Sequence, residues 1–558
     1  MDVLGVMQSY ILKLLEEAGP GMKVLLLDGE TTPGVSLAFA QSALMRQEVF
    51  LFERLRPNVV WEDMRYLKCI CILRPQPSTI SQLCSELARP RYQSYYVYFT
   101  NLLPRAAVKQ LAEADMQEVV KEVKEIYIDY LPFGSHLFGL SLNHPLQPLG
   151  SRWVEEHLTR TTQALISVLL SHKLCPSIRY QEGSGPAALL ANSVKSIMAR
   201  ETEQFGGAGD TVLVILDRRE DPVTPLLTQW TYQAMVHQLI GINNNRVSLA
   251  GVPGVNKDLQ EILLSASQDE FYAANLYSNF GEIGQTIKLL MDQYQQKAQS
   301  HQKIESIADM KNFVENYPQF KKMSGTVTKH VTLVSELSRL VSTRDLLEIS
   351  ELEQEIVSDG DHKEMLRKIS DLIQREKVTL EDATRLSMLF ALRFEQSQSS
   401  SVRTVLGLLR KKGGEREARL VQNLQRFAGQ NVRKGNLFGD HEITTKNITG
   451  KLFKGLKGVE NVYTQHSPLL KEILDDCVKN RLKTSTFPSL GSSSGKVNTI
   501  VAFIIGGFTY EEAYTVQQLN SSLGVQIILG GTSLINSKAF VEQIENSFPA
   551  SNSASNSS

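Results

Sequence analysis

The strand pattern of this chain breaks off and later resumes, and that break constrains the fold more than any motif. An apolar run, "TVLVIL" (211–216), meets "DRREDPVTP" (217–225), after which helix-type sequence takes over until buried-strand patterns return at "NTIVAFIIGG" (498–507) and "VQIILGG" (525–531). Two strands cannot build an independent sheet covered on both faces, so the later pair is expected to complete the sheet left open at Leu216. The helical block is then an insertion within a discontinuous α/β domain.

Upstream of the break, "MKVLLLD" (22–28), "EVFLFE" (48–53), "LKCICIL" (67–73), "YYVYFT" (95–100) and "EIYIDYL" (125–131) alternate with helix-compatible segments at 34–46, 79–88 and 104–124. Continuous apolar strands separated by helices are what a parallel sheet buried on both faces requires. The pattern predicts a first α/β domain over 1–131, opened by an amphipathic helix in "MDVLGVMQSYILKLLEEAG". A second, split domain takes 132–222 and 480–548, with "HLFGLSL" (136–142) and helices around 151–171 and 186–203. A mainly helical domain fills 223–479. Its first helix is expected to start at Pro225 and to place Leu226, Leu227, Trp230 and Ala234 on overlapping faces. Further helices are expected at 257–266, 281–299, 302–316, 327–341, 361–374, 380–395 and 402–411. The low-complexity tail 549–558 reads as disordered.

Charge excludes some functions. With Lys+Arg 59 against Asp+Glu 60, the formal net charge is -1, and no global field draws the chain to nucleic acid or anionic lipid. The five cysteines are odd in number and sit mostly in apolar runs, which suits reduced core residues. The longest apolar stretch, "TIVAFIIGGF" (499–508), is far short of the roughly 20 residues a spanning helix needs.

Enzyme chemistry requires particular residue spacings. There is no GxxxxGK[ST], HExxH, GxSxG or EF-hand spacing, and "GSGPAA" (183–188) lacks the third glycine and preceding strand of a dinucleotide site. No catalytic residue, metal site or cofactor is assigned. "GGFTYEEA" (506–513) and "GGTSLIN" (530–536) follow strands, so an α/β enzyme handling a phosphorylated small molecule at Gly506 and Gly530 is the rival reading. The plainer one makes Thr509 an N-cap with Glu512 in a capping box. His237 and His330 fall on apolar helical stripes and read as core or surface histidines. The basic run "LLRKKGGEREARL" (408–420), with Arg426, Arg433 and Lys434, reads as a solvated face. "LDRREDPVTPLLTQW" (216–230) is either the acidic edge of an active site or a domain junction. As a junction, Asp217 and Asp221 pair with arginines such as Arg218 and cap turns, while Pro222 and Pro225 end strand pairing and begin the helix that carries Trp230.

Several long blocks carry a resemblance. "LDRREDPVTPLLTQWTYQAMVHQLIGINNNR" (216–246), "ESIADMKNFVENYPQFKKMSGTVTKHVTLVSELSRL" (305–340), "FKGLKGVENVYTQHSPLL" (453–470) and "IIGGFTYEEAYTVQQLN" (504–520) resemble the SM (Sec/Munc-like) family, cytosolic partners of SNAREs in membrane fusion. "GPGMKVLLLDGETT" (19–32) narrows the likeness to the branch whose partner is the syntaxin of the trans-Golgi network and endosomes.

The resemblance implies a three-domain arch and a non-enzymatic SNARE-binding chaperone that promotes SNARE complex assembly in transport to endosome, vacuole or lysosome. It implies a monomer, without nucleic acid or cofactor, that reaches Golgi and endosomal membranes through SNAREs. It also implies two surfaces. A pocket for a syntaxin N-terminal peptide falls on "AAVKQLAEADMQEVVKEVKEIYIDYLP" (106–132), at Val108, Leu111, Ala112, Val119 and Val123 with Glu125 at the rim. The same spacing of Val108, Leu111 and Ala112 suits a helix packed on its own sheet. A SNARE-templating hairpin around 300–342 places a bend at Pro318 and offers Phe320, Met323, Val327 and Val331 to the vesicle SNARE, with ordinary hairpin packing as the competing reading.

Overall fold

The structure is a computed structural model that describes residues 2–56, 63–147, 150, 152–205, 210–302, 307–358, 360–396, 399–433, 437–438, 463, 465–491 and 495–548. Most of the block 453–470, Lys434 and the tail 549–558 lie outside the described residues.

The apolar runs near the N-terminus form a sheet of β1 (Lys23–Leu27), β2 (Val49–Arg54), β3 (Met64–Leu73), β4 (Tyr92–Phe99) and β5 (Val120–Glu125), in the order β2-β1-β3-β4-β5. All four pairings are parallel. Around it lie α1 (Val3–Glu17), α2 (Thr31–Ala38), α3 (Gln41–Met45), α4 (Pro77–Ala88) and α5 (Arg105–Ala114). One sheet face packs Val24, Cys69, Val97 and Phe99 against Leu83 of α4 and Leu111 of α5. The other face, with Leu25, Ile70 and Tyr98, belongs to a core that continues into the second sheet.

That second sheet holds β6 (Leu131–Gly134), β7 (Leu137–Gly139), β8 (Ser177–Tyr180), β9 (Thr211–Asp217), β12 (Ser489–Leu490), β13 (Thr499–Ile505) and β14 (Gln526–Gly531), ordered β12-β8-β9-β13-β14-β7-β6. Its strands 8, 9, 13, 14 and 7 run parallel, and both outermost pairings are antiparallel. The decisive pairing is β9 with β13, where Leu213 lies opposite Val501 and Leu216 opposite Ile504. The sheet interrupted at residue 217 is therefore the sheet completed after residue 498, as the strand pattern requires. Helices α6 (Glu155–Ser171) and α7 (Gly185–Arg200) pack against it, α7 starting with a Ser184 cap whose hydroxyl accepts from the Ala187 amide.

Between the two halves of that sheet the chain is mainly helical. Its helices include α8 (Tyr232–Leu239), α9 (Glu270–Asn275), α10 (Phe280–Gln302), α11 (Ile307–Thr343), α12 (Leu346–Val357), α13 (His362–Ile373), α14 (Leu380–Arg393), α15 (Ser399–Lys411) and α16 (Glu415–Ala428). A small antiparallel pair joins β10 (Arg246–Ser248) to β11 (Glu261–Leu263), and the chain enters β10 through a tight turn at Asn244 and Asn245, both at positive φ, a conformation asparagine tolerates better than most side chains. Two compact units result. One is Met1–Arg218 with Leu470–Phe508 and Thr515–Leu534; the other is Arg219–Leu469 with Thr509–Tyr514 and Ile535–Ser558.

Several expectations need correction. The helix expected over 104–124 ends at Ala114, because the Asp115 carboxylate accepts from the Val119 and Val120 amides and turns the chain into β5. The strand expected at 125–131 is instead β5 at 120–125, and residues 126–130 continue without strand pairing. The helix expected from Pro225 is a single 3-10 turn, Thr224–Leu226, with the α-helix starting at Tyr232. The segment 257–266 holds a 3-10 turn and β11 rather than a helix, and 34–46 is split into α2 and α3. Helices foreseen at 302–316 and 327–341 are one element, α11. The last helix, Ser537–Ser547, falls by sequence order in the split α/β domain, yet its Phe540 and Ile544 belong to the helical core, and Arg416 of α16 donates to Glu545 at 2.6 Å.

Candidate partner-binding surfaces

The acidic stretch after β9 is consumed by the fold. Asp217 accepts from the Ser184 hydroxyl at 2.6 Å, and its amide donates to Gln181 Oε1 at 2.6 Å. The Arg218 guanidinium, 2% exposed, donates twice to the Gly507 carbonyl at 3.1 and 3.0 Å, tying the strand before the insertion to the loop after it. Asp221 caps the next turn through the Thr224 amide and hydroxyl, at 3.0 and 2.6 Å, and accepts from the Leu469 amide at 3.3 Å. Pro222 and Pro225 are buried, and Trp230 donates to Ser350 Oγ at 2.8 Å. Behind it the buried Arg385 joins Glu353, Asp382, Thr228 and the Leu226 carbonyl. Asp217 and Asp221 thus accept from hydroxyl and amide groups of neighbouring turns, the role of capping carboxylates.

The glycine loops are equally closed. Gly506 and Gly507 have φ of 93° and 96°, the left-handed region that favours glycine. A Cβ on Gly530 would stand 2.1 Å from the Phe138 ring, so that glycine is needed for packing. Thr509 and Glu512 form the expected capping box: the Glu512 amide donates to Thr509 Oγ1 at 3.2 Å and the Thr509 amide to Glu512 Oε2 at 2.9 Å. The helix N-terminus is satisfied by its own side chains, which disfavours the phosphate-site alternative.

The first candidate surface lies where α5 covers the open edge strand β5. Ala107 and Leu111 turn inward, Leu111 being only 5% exposed, while Val108 and Ala112, four residues apart, share the outer face. Val123 is paired with Val97 and half exposed; Val119 packs against the core beneath. Glu125 accepts from the Leu103 amide at 2.6 Å and the Tyr127 hydroxyl at 3.0 Å, which holds the chain leaving β5. Val108, Ala112 and Val123 are thus presented outward, and Leu111 and Val119 support them from inside. Sequence reading missed Met116, 86% exposed at the turn joining α5 to β5. A strand rather than a helix after Asp115 was the unread signal.

The second surface is the antiparallel pair α10 and α11. Phe320 stacks on Tyr294 of α10 with ring centroids 5.2 Å apart, and Tyr294 donates to Ser324 Oγ at 3.3 Å. Met323 is half-buried, Val327 is buried and Val331 packs on the helical core. These side chains join the two helices to each other and to the core. The helix continues through Pro318 although an interior proline removes a hydrogen bond and costs about 3 kcal/mol. At Gly325 an added Cβ would meet nothing within 4 Å. On α10, Leu289 and Met291 are exposed.

Among the described residues, no helix is long and apolar enough to cross a membrane. The Sec1 family model matches residues 23–543. Vacuolar protein sorting-associated protein 45 of Mus musculus is 51% identical over 552 residues, 98% of this chain and 96% of that protein; its Saccharomyces cerevisiae counterpart is 34% identical over 94% of each. Among solved structures, the SM protein Vps45 in complex with the Qa SNARE Tlg2 aligns with a TM-score of 0.92 at 43% identity, covering 98% of both chains. The Unc18 chain of the Unc18–syntaxin 1 complex from Monosiga brevicollis shares the fold, with a TM-score of 0.82 at 19% identity over 98% of this chain and 99% of that one. With a split sheet, a helical insertion and near full-length matches to these proteins, the chain belongs to the Sec1 (SM) family.

Proposed function

We propose that this protein is a SNARE-binding chaperone of vesicle fusion: it holds a syntaxin-type SNARE and promotes its assembly with a vesicle SNARE. The observation that carries this is the near full-length match, at a TM-score of 0.92, to a Vps45 structure bound to a Qa SNARE. The partner is the syntaxin of the trans-Golgi network and endosomes, and the transport served is delivery to endosome, vacuole or lysosome. The protein works without catalysis, as a monomer organised in three domains, from the cytoplasm, and meets the membrane through its SNAREs. The spent carboxylates of the junction and the closed glycine loops support this reading over an enzyme.

An apolar side chain of the syntaxin N-terminal peptide docks against Val108, Ala112 and Val123, with Leu111 and Val119 as the floor and Glu125 at the rim. The hairpin from α10 to α11 supplies a surface on which the vesicle SNARE helix aligns, Phe320, Met323, Val327 and Val331 fixing its shape and Pro318 marking the segment that can bend. Liposome fusion driven by the cognate SNAREs tests the function. Addition of the protein should raise the fusion rate without any tether; an unchanged rate, with SNARE binding intact, would reduce it to a scaffold.

A further inference from the structure

The two halves of α11 are held differently. Its lower half is embedded: His330, Leu333 and Leu337 are fully buried and Val341 nearly so, at the spacing of one helix face. Its upper described part, from residue 319, has Phe320 and Met323 only half-buried and an exposed glycine at 325. The change falls at a polar cluster. Asp269, the N-cap of α9, accepts from the Tyr272 amide at 2.9 Å, from His330 Nε2 at 2.9 Å and from the Lys329 ammonium. On the other side of the ring, the Tyr232 hydroxyl donates to His330 Nδ1 at 2.7 Å. Tyr232 is the first residue of α8, directly after the junction.

Building on the chaperone reading above, we propose that Asp269, His330 and Tyr232 form the fixed base of the α10–α11 hairpin, a positioning network above which the helix yields at Gly325. One carboxylate, 5% exposed on its side chain, receives donors from two residues of α11 and from its own helix, so α11 can neither rotate nor slide at this level without leaving a buried charge unpaired. Phe271 lies against the ring at 4.7 Å between centroids and shields the cluster from water. Burial alone would push the Asp269 carboxyl up, yet the hydrogen bonds from His330, Lys329 and the Tyr272 amide hold it well below the usual carboxylate range. Above this level the described side chains of α11 meet α10 through contacts such as the Phe320–Tyr294 stack, which can slide at little cost. A rigid base with a compliant upper segment is what a partner helix needs in order to be registered and then released.

The test uses Asp269→Asn in the full chain. Asparagine keeps the size and the acceptor for the Tyr272 amide but loses the anionic oxygen shared by His330 and Lys329. Amide hydrogen exchange over 319–334 should rise at least tenfold while 349–372 stays unchanged. Vesicle-SNARE affinity should fall about tenfold, with syntaxin N-peptide affinity unaltered. Unchanged exchange over 319–334, or an equal rise throughout the helical unit, overturns the proposal. Tyr232→Phe, which removes a single hydroxyl, should shift the same amides about threefold and decides the matter if Asp269→Asn does not fold. If exchange responds as stated but the wild-type protein binds no vesicle SNARE, the base stands and the assembly reading falls.

Discussion

The α5–β5 edge and the α10–α11 hairpin both present apolar side chains to solvent, yet they are built on opposite principles. At the edge, the exposed Val108, Ala112 and Val123 rest on a hydrogen-bonded sheet whose central strands β1, β3 and β4 are mostly buried, so the surface is formed before any partner arrives. In the hairpin, the part of α11 above His330 meets α10 through the half-buried Phe320 and reaches Glu270 of α9 through the exposed Lys322. A preformed edge suits a short peptide that must be caught and held. A helix with a firm root and a loose upper part suits a partner that must be aligned and then let go.

The largest effect expected from breaking this contrast comes from Leu111→Arg. Leu111 supports the edge from within the core, so a charge there has no partner and should cost about 4 kcal/mol or more, abolishing cooperative unfolding of the sheet domain in thermal or urea melts. Retention of a wild-type melt would show that the edge is not preformed. The helical unit should respond to acid. His237 is buried, its Nε2 has no hydrogen-bond partner, and burial pushes its pKa down to about 4. Because the folded value lies below that of the unfolded chain, near 6.5, stability is complete above about pH 6.5 and is lost as pH falls toward 4, by about 3 kcal/mol in all. His237→Asn, which keeps an acceptor for the Ile242 amide, should flatten that loss in melts at pH 7.5 and 5; parallel curves for both proteins would count against it.

Smaller effects sharpen the comparison. Val108→Glu changes an exposed helix position, so stability should stay within about 0.5 kcal/mol while syntaxin N-peptide affinity, read by calorimetry, falls at least tenfold, about 1.4 kcal/mol. Equal affinity would remove Val108 from the pocket. Gly325→Ala meets open space and should stabilise α11 by about 1 kcal/mol. Vesicle-SNARE association measured by stopped flow should then slow about threefold, and a faster rate would show that compliance at 325 is not used.

How much of this was legible depends on whether local pattern or distant contact decides a residue's place. The continuous apolar runs of β1, β3, β9 and β13 announce buried parallel strands, and the Thr509–Glu512 pair announces a helix start, because each signal is complete within a few residues. The stretch 115–124 reads as helix in the sequence but holds a turn and most of β5. Its Lys and Glu residues suit a helix surface as well as an edge strand, and only the Asp115 carboxylate closing on the Val119 and Val120 amides turns the chain. A helix there puts Val119 and Val123 on the helix of Val108, whereas Val123 lies on β5 and Val119 just before it. Asp269 is an acid in an unremarkable loop by sequence, since its partners Lys329 and His330 are distant along the chain.

By itself the sequence determined the class of most long elements, the interruption of the second sheet and the absence of known catalytic spacings, since periodicity and motif geometry are local properties that each segment carries wherever it is placed. Only the tertiary structure decided which valines of the first domain face solvent, that α11 passes Pro318 as one helix, and that a buried carboxylate roots it. Those outcomes depend on long-range packing, where contacts from other segments outweigh propensities worth about 1 kcal/mol for glycine and about 3 kcal/mol for proline.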